Sequence, residues 1–175
     1  MTFVAHTKES APEASRRALA AAEHQFGFIP DALARLAEAP VLVEAFAKAT
    51  AAFDRTGFDA VEREIIILTL AAEVGCEVCI ALHARMLAAD GHAAIGQALV
   101  EGRPLADPRH AALARFTQRV LATRGAVADE DLAAFGGAGY TARAALEVVV
   151  GIGAYTLTTF GNRLTRAHVD PALRG

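Results

Sequence analysis

The sequence predicts an all-α protein, and three observations carry that prediction. Ala and Leu are plentiful while aromatics make up only 6% of the chain and Trp is absent, a composition suited to packed helices rather than to a sheet. Apolar residues recur at helical spacing, as in Val61, Ile65, Leu68 and Ala72. No stretch alternates apolar and polar residues as a half-buried strand would, and no βαβ pattern is present. The chain has 175 residues, 54% hydrophobic and 21% charged, which is enough for one well-filled domain and too apolar for disorder. Residues 1–175 are therefore expected to form that single domain.

The elements follow from their punctuation. A first helix is expected over 13–26, ended by Gly27. Pro30 and Asp31 open a short second helix that Pro40 stops, and Pro40 then suits the first turn of a third running to about Asp54. Arg55-Thr56-Gly57 breaks the chain. Asp59 and Glu62 have capping-box spacing and start a fourth helix whose Ile66, Ile67 and Leu70 occupy further faces, so it should be buried on most sides. Gly75 ends it, and the next helix, Cys76 to Ala89, aligns Cys79, Leu82, His83, Met86 and Leu87 along one side before Gly91.

A shorter helix spans His92 to Val100, and the loop from Gly102 to Pro108 marks the middle of the chain. A helix follows from about Arg109 to Thr123, with Leu113, Phe116, Val120 and Leu121 apolar. Asp129 caps a short piece ending at Gly136-Gly137. Thr141 caps a last long helix expected to run to about His168, with Pro171 ending the ordered chain. Within that helix Gly151, Gly153 and Gly161 would admit close helix approach, and Tyr155 and Asn162, seven residues apart on one face, read as packing residues or, alternatively, as the lining of an interface or pocket.

Charge and hydropathy exclude several classes. A net charge of −3 gives no basic footprint for nucleic acid. The N-terminal segment lacks the apolar run of a secretory signal. Val148 to Asn162, the longest uncharged stretch, has fifteen residues, short of the roughly 20 needed to cross a bilayer, and points to a core helix or subunit interface. A cytoplasmic protein is expected, and there a structural disulfide is unusual. The only two cysteines, Cys76 and Cys79, then point to redox chemistry, sensing or metal binding.

The C-x-x-C sits where a helix begins. Unpaired backbone N–H groups and the helix dipole there favour a thiolate, the reactive form of a group whose free pKa is about 8.5. His83 follows Cys79 by four residues and Cys76 by seven, so the three side chains share a face, and an imidazole there can move a thiol proton. Glu64 lies twelve residues before Cys76 and must approach from the preceding helix, where its carboxylate would orient His83. A structural zinc site wants four ligands and this chain has no second pair, leaving only His92 or His24 to complete one by folding. A c-type haem needs His where this chain has Ile80, and thioredoxin needs strands. The remaining histidines, His6, His24, His92, His110 and His168, are scattered and read as solvated or incidental.

Glu64, Cys76-Glu77-Val78-Cys79 and His83, an E-x11-C-x2-C-x3-H pattern, resemble the alkylhydroperoxidase D-like (AhpD-like) members of the carboxymuconolactone decarboxylase family. Gly27-Phe28-Ile29-Pro30, Leu146-Glu147-Val148-Val149 and Asn162-Arg163-Leu164 extend the likeness over about residues 25–170. The resemblance implies an all-α fold assembled as homotrimers, homohexamers or other homo-oligomers. It implies a thiol peroxidase or disulfide oxidoreductase without metal or other cofactor. It also implies a hydroperoxide substrate and a thiol or dithiol reductant such as a lipoyl or thioredoxin-like protein. In the family the second cysteine, here Cys79, becomes a sulfenic acid, and the first, Cys76, donates a proton and resolves it. The helix dipole alone would favour Cys76 as the nucleophile, whereas His83, one turn after Cys79, argues for Cys79. One departure is Val78, where the best-studied members carry His just before the second cysteine. Two other readings stand beside this one: a carboxylactone decarboxylase, which needs no dithiol, and a non-catalytic helical oligomer switched by the same disulfide.

Overall fold

The computed structural model describes residues 2–173, and all regular structure within them is helical. In chain order the helices are α1 (Glu13–Phe26), α2 (Asp31–Leu36), α3 (Pro40–Phe53), α4 (Ala60–Val74), α5 (Glu77–Ala89), α6 (Ala93–Val100), α7 (Pro108–Thr123), α8 (Asp129–Gly137) and α9 (Ala142–Thr165), followed by a 3-10 turn over Pro171–Leu173.

Helix α4 is the axis of the fold and packs against α5, α6, α7 and α9. Ile65, Ile66, Ile67, Leu68, Leu70 and Ala71 are all buried, so successive residues on every face of its middle meet protein. Its start is the expected capping box: Asp59 accepts from the Glu62 backbone N–H at 2.8 Å and Glu62 accepts from the Asp59 N–H at 3.2 Å. The buried Glu62 carboxylate has a second use. Its other oxygen accepts from the Tyr140 hydroxyl at 2.8 Å and the Arg109 guanidinium at 3.1 Å, tying α7 and the turn between α8 and α9 to this cap. Around it Phe53, Phe58, Leu113, Phe116, Val120, Phe135 and Val148 complete one core.

A smaller apolar cluster lies at the other end of α4 and holds Ala32, Ala71, Cys76, Val78 and Cys79, with Ile80, Ala167 and Val169 against it. Helix α2 and the segment after α9 therefore cover the dithiol. This segment corrects two expectations, since α9 stops at Thr165 and Pro171 opens a further 3-10 turn instead of ending the order. Arg166 takes a left-handed conformation (φ 55°) that closes the helix. The freed chain then donates the His168 N–H to Asp31 Oδ2 at 2.7 Å and receives the Asp31 N–H on Asp170, contacts that a continuing helix would not make.

Other expectations change in detail. Asp129 is the first residue of α8 and Ala128 its cap, with Asp129, Glu130 and Asp131 together at the positive helix end. Gly151 and Gly161 sit at close approaches, where added Cβ atoms would lie 2.7 Å from Phe53 and 2.6 Å from Leu36, but Gly153 faces open space. On α5 the buried face is Cys79, His83 and Leu87, while Met86 is 41% exposed because it lies off the i, i+4 line. His6 is not incidental, since it hydrogen-bonds Glu38 at 2.6 Å and Ser10 at 3.3 Å. By length and composition α9 could cross a membrane, yet here it packs on α3 and α4 and carries polar residues toward the dithiol.

Gly75 joins α4 to α5 in a left-handed conformation (φ 69°), and a Cβ there would lie 2.8 Å from the Arg163 guanidinium. Gly27 has the same handedness (φ 78°) with nothing within 4 Å. Gly27→Ala is expected to cost the backbone penalty alone, about 1–2 kcal/mol. Gly75→Ala is expected to cost more and to displace Arg163. Urea unfolding of the two variants measures the difference.

Candidate active site

Cys76 is the N-cap of α5 and Cys79 lies one turn in, so the helix start brings their sulfurs to 2.9 Å, both unbonded and buried. The backbone reaches this geometry because Gly75 reverses the chain and the Cys76 N–H returns to the Ala71 carbonyl at 2.9 Å. Val78, between them, is buried and apolar.

The pair is electrostatically asymmetric. The Cys76 thiol is lowered to about 6, first because the Cys79 thiol hydrogen-bonds its anion, against the opposing effect of burial. The Cys79 backbone N–H, the Asn162 amide and the positive charge of Arg163 favour the same anion. Cys79 is pushed up, by its hydrogen bond to the Cys76 anion first and by burial second. The two shifts together favour the proton on Cys79 over Cys76. This matches the dipole argument for Cys76, whereas the resemblance gives the attacking role to Cys79.

Glu64 on α4 reaches His83 on α5, with Oε2 2.8 Å from Nδ1. A carboxylate can only accept, so Nδ1 carries the hydrogen and Nε2 is the free nitrogen. The ring also packs edge-on against Tyr155 at 5.3 Å. The four residues singled out from the sequence therefore gather at one turn, but not in the expected pattern. Among the described residues no hydrogen bond joins His83 directly to either sulfur, and the ring is shared between Glu64 and Tyr155.

Helix α9 supplies what the sequence reading missed. Asn162 Nδ2 lies 3.4 Å from Cys79 Sγ and 3.9 Å from Cys76 Sγ. Arg163 donates to the Gly75 carbonyl at 2.7 Å and Tyr155 backs His83. The seven-residue spacing of Tyr155 and Asn162 was visible in the sequence, but it could not say what they faced. Burial pushes the Tyr155 hydroxyl up, so it is a neutral wall at any physiological pH. Among the described residues no group of three or more His, Cys, Asp and Glu is gathered as a metal site would require.

The family model for the carboxymuconolactone decarboxylase family matches residues 37–129. Among solved structures, the chain is similar to the alkylhydroperoxidase AhpD core of an uncharacterized peroxidase-related protein from Ralstonia eutropha. The TM-score is 0.87 at 19% identity, covering 98% of this chain and 93% of that one. A peroxidase-related protein from a Silicibacter species superposes with TM-score 0.82 at 18% identity, covering 99% and 94%. A cysteine-to-alanine variant of the debrominase Bmp8, in complex with 2,3,4-tribromopyrrole, superposes with TM-score 0.73 at 18% identity, covering 99% and 92%. At these identities the likeness is one of fold. No curated protein sequence matches the chain.

The depressed Cys76 pKa has a worked sign. Between about 6 and the ordinary thiol value of 9.0 the unfolded chain binds a proton at Cys76 that the folded protein does not. Stability of the reduced protein is therefore expected to rise with pH across that window and to be lost as pH falls through about 6. Cys76→Ser should flatten this rise. Cys79→Ala should shift it upward by removing the main partner of the anion. Thermal melts of reduced protein between pH 5 and 9 follow the effect, with thiolate absorbance at about 240 nm reporting ionisation directly.

Proposed function

The chain belongs to the carboxymuconolactone decarboxylase family, and from that premise we propose that it is a cytoplasmic thiol-dependent hydroperoxidase working through the Cys76–Cys79 dithiol. The observation that carries the reading is the buried, unbonded sulfur pair at 2.9 Å, one member of which is held as an anion near neutral pH.

In this reading the proton moves across the pair, from Cys79 to Cys76, as a hydroperoxide arrives. The Cys79 thiolate then attacks the terminal peroxide oxygen. An S–O bond forms, the O–O bond breaks, and the leaving alkoxide takes the Cys76 proton. The Cys76 anion, free again, attacks the Cys79 sulfenic acid. The S–S bond forms, the S–O bond breaks, and the departing hydroxide takes a proton from solvent to leave as water. His83, held by Glu64 with Nε2 free, is the group that manages these protons. An external thiol or dithiol, of the lipoyl or thioredoxin-like kind, returns two electrons and two protons. This order keeps the family's roles for the two cysteines, and its first step runs uphill, because the Cys76 anion is the weaker base and the Cys79 thiol the weaker acid. Assembly as a homotrimer or homohexamer is part of the proposal. It is supported by the apolar face that α9 leaves exposed at Leu146, Val149, Phe160 and Leu164.

The same two-electron dithiol could reduce a halogenated ring, the chemistry named for the structural neighbour Bmp8. A carboxylactone decarboxylation draws no support from a buried redox pair.

Stoichiometric peroxide is expected to convert the two free thiols to none, with loss of two hydrogens by intact mass. Turnover is expected with a dithiol reductant. Cys79→Ser should abolish it, and His83→Gln should lower it by about 10²–10⁴-fold. Glu64→Gln should act through the orientation of His83. Equal peroxide consumption by wild type and Cys79→Ser would overturn the peroxidase reading. Debromination of tribromopyrrole in the same assay, without peroxide turnover, would replace it by reductive dehalogenation.

A further inference from the structure

Helix α9 carries a polar side chain that the chemistry above does not yet use. Asn162 is buried at 5% exposure, its Nδ2 faces both sulfurs, and its Oδ1 is buried with no hydrogen-bond partner. A buried carboxamide with an orphan oxygen costs free energy unless something completes it. Packing does not account for its placement, because an apolar side chain of the same size would fill the space without that cost.

The local structure holds this amide rigidly. Gly161 lets α9 approach Leu36 of α2 closely, and Thr165 donates to the Gly161 carbonyl at 2.8 Å one turn on. Arg163 grips the Gly75 carbonyl at 2.7 Å on the other side. The amide is therefore fixed against the dithiol turn from both flanks.

We infer that Asn162 is a catalytic residue: its N–H stabilises the sulfur anion of the reduced dithiol, and its Oδ1 accepts the hydrogen of the sulfenic acid formed on Cys79. The first role needs a donor at the sulfurs and is met at 3.4 Å and 3.9 Å. The Asn162 amide favours the anion at both cysteines, so either sulfur gains when it carries the charge. The second role explains the orphan oxygen. The reduced protein offers Oδ1 no donor, whereas S–OH supplies one within an amide's width of the same contact. Holding that hydrogen leaves the Cys79 sulfur open to Cys76. The step itself balances as written above, with the S–O bond of the sulfenic acid breaking as the S–S bond forms and water leaving. Asn162 takes no covalent part. The sulfenic role rests on the hydroperoxidase reading, while the anion role does not.

The test separates the two. In reduced protein, Asn162→Leu and Asn162→Ala are each expected to raise the midpoint of thiolate absorbance by about one pH unit, the loss of one hydrogen bond to a charged group. Val148→Ala, a buried truncation elsewhere on α9, should lower the melting temperature and leave that midpoint where it was. A midpoint unmoved in both Asn162 variants would overturn the inference, as would an equal shift in Val148→Ala. In a Cys76→Ser background, where the sulfenic acid cannot be resolved, dimedone trapping after peroxide should find a shorter-lived sulfenic acid when Asn162→Leu is added. An unchanged lifetime would overturn the Oδ1 role. The trapping is run at about pH 9–10, where Cys79 can ionise to solvent without Cys76 to take its proton. If the wild type consumes no peroxide, the hydroperoxidase reading and the Oδ1 role fall together, and the ionisation result still decides the anion role.

Discussion

The junction between α4 and α5 is the constraint on which the site depends. Two helices that meet at an ordinary helix end would continue roughly in line or splay. The left-handed residue Gly75 instead folds α5 back along α4, so that Glu64, well before the turn, meets His83, two turns after it, at 2.8 Å. The same reversal leaves Cys76 outside the helix as its N-cap and Cys79 inside its first turn, which is the relation that puts two sulfurs within 2.9 Å. Arg163 closes the arrangement from α9 by bonding the Gly75 carbonyl, and no Cβ at residue 75 would leave room for it.

That junction creates an electrostatic problem. A thiolate buried at the end of a hydrophobic helix should be unfavourable, because burial penalises the charged form. Here the penalty is offset by short-range donors rather than by an ion pair. The neighbouring thiol, a backbone N–H and a carboxamide surround the Cys76 sulfur, and Arg163 supplies positive charge from the exposed side. The apolar cover of Ala32, Val78, Ala167 and Val169 keeps water from competing for those bonds. Val78 belongs to that cover.

Much of the architecture was legible because it is written locally. The capping box at Asp59 and Glu62, the prolines at 40 and 108 and the glycine stops depend on residues a few positions apart, and they fall where expected within a residue or two. The end of α9 was not legible. Nothing near Arg166 forbids helix, and the chain leaves it because Asp31 captures the His168 N–H, a contact across 137 positions. Met86 was aligned with Cys79 and His83 by spacing, and Gly153 was grouped with the close-approach glycines by residue type, and neither signal tells which of two adjacent stripes meets the core.

The site divides in the same way. The dithiol, its place at a helix start, and the Glu64 and His83 that accompany it follow from local rules, because helix periodicity and one glycine turn are enough to bring those four together. What faces them depends on how distant helices pack. Asn162 lies 83 positions from Cys79 and Tyr155 reaches His83 from the same distant helix, so no local rule connects them. Their side chains matter through where α9 crosses α4 and α5, and that crossing is set by the packing of Gly151 on Phe53 and of Gly161 on Leu36. Close packing over the whole fold, summed from contacts far apart in the chain, made two residues that the sequence offered as packing or pocket lining into the wall of the dithiol.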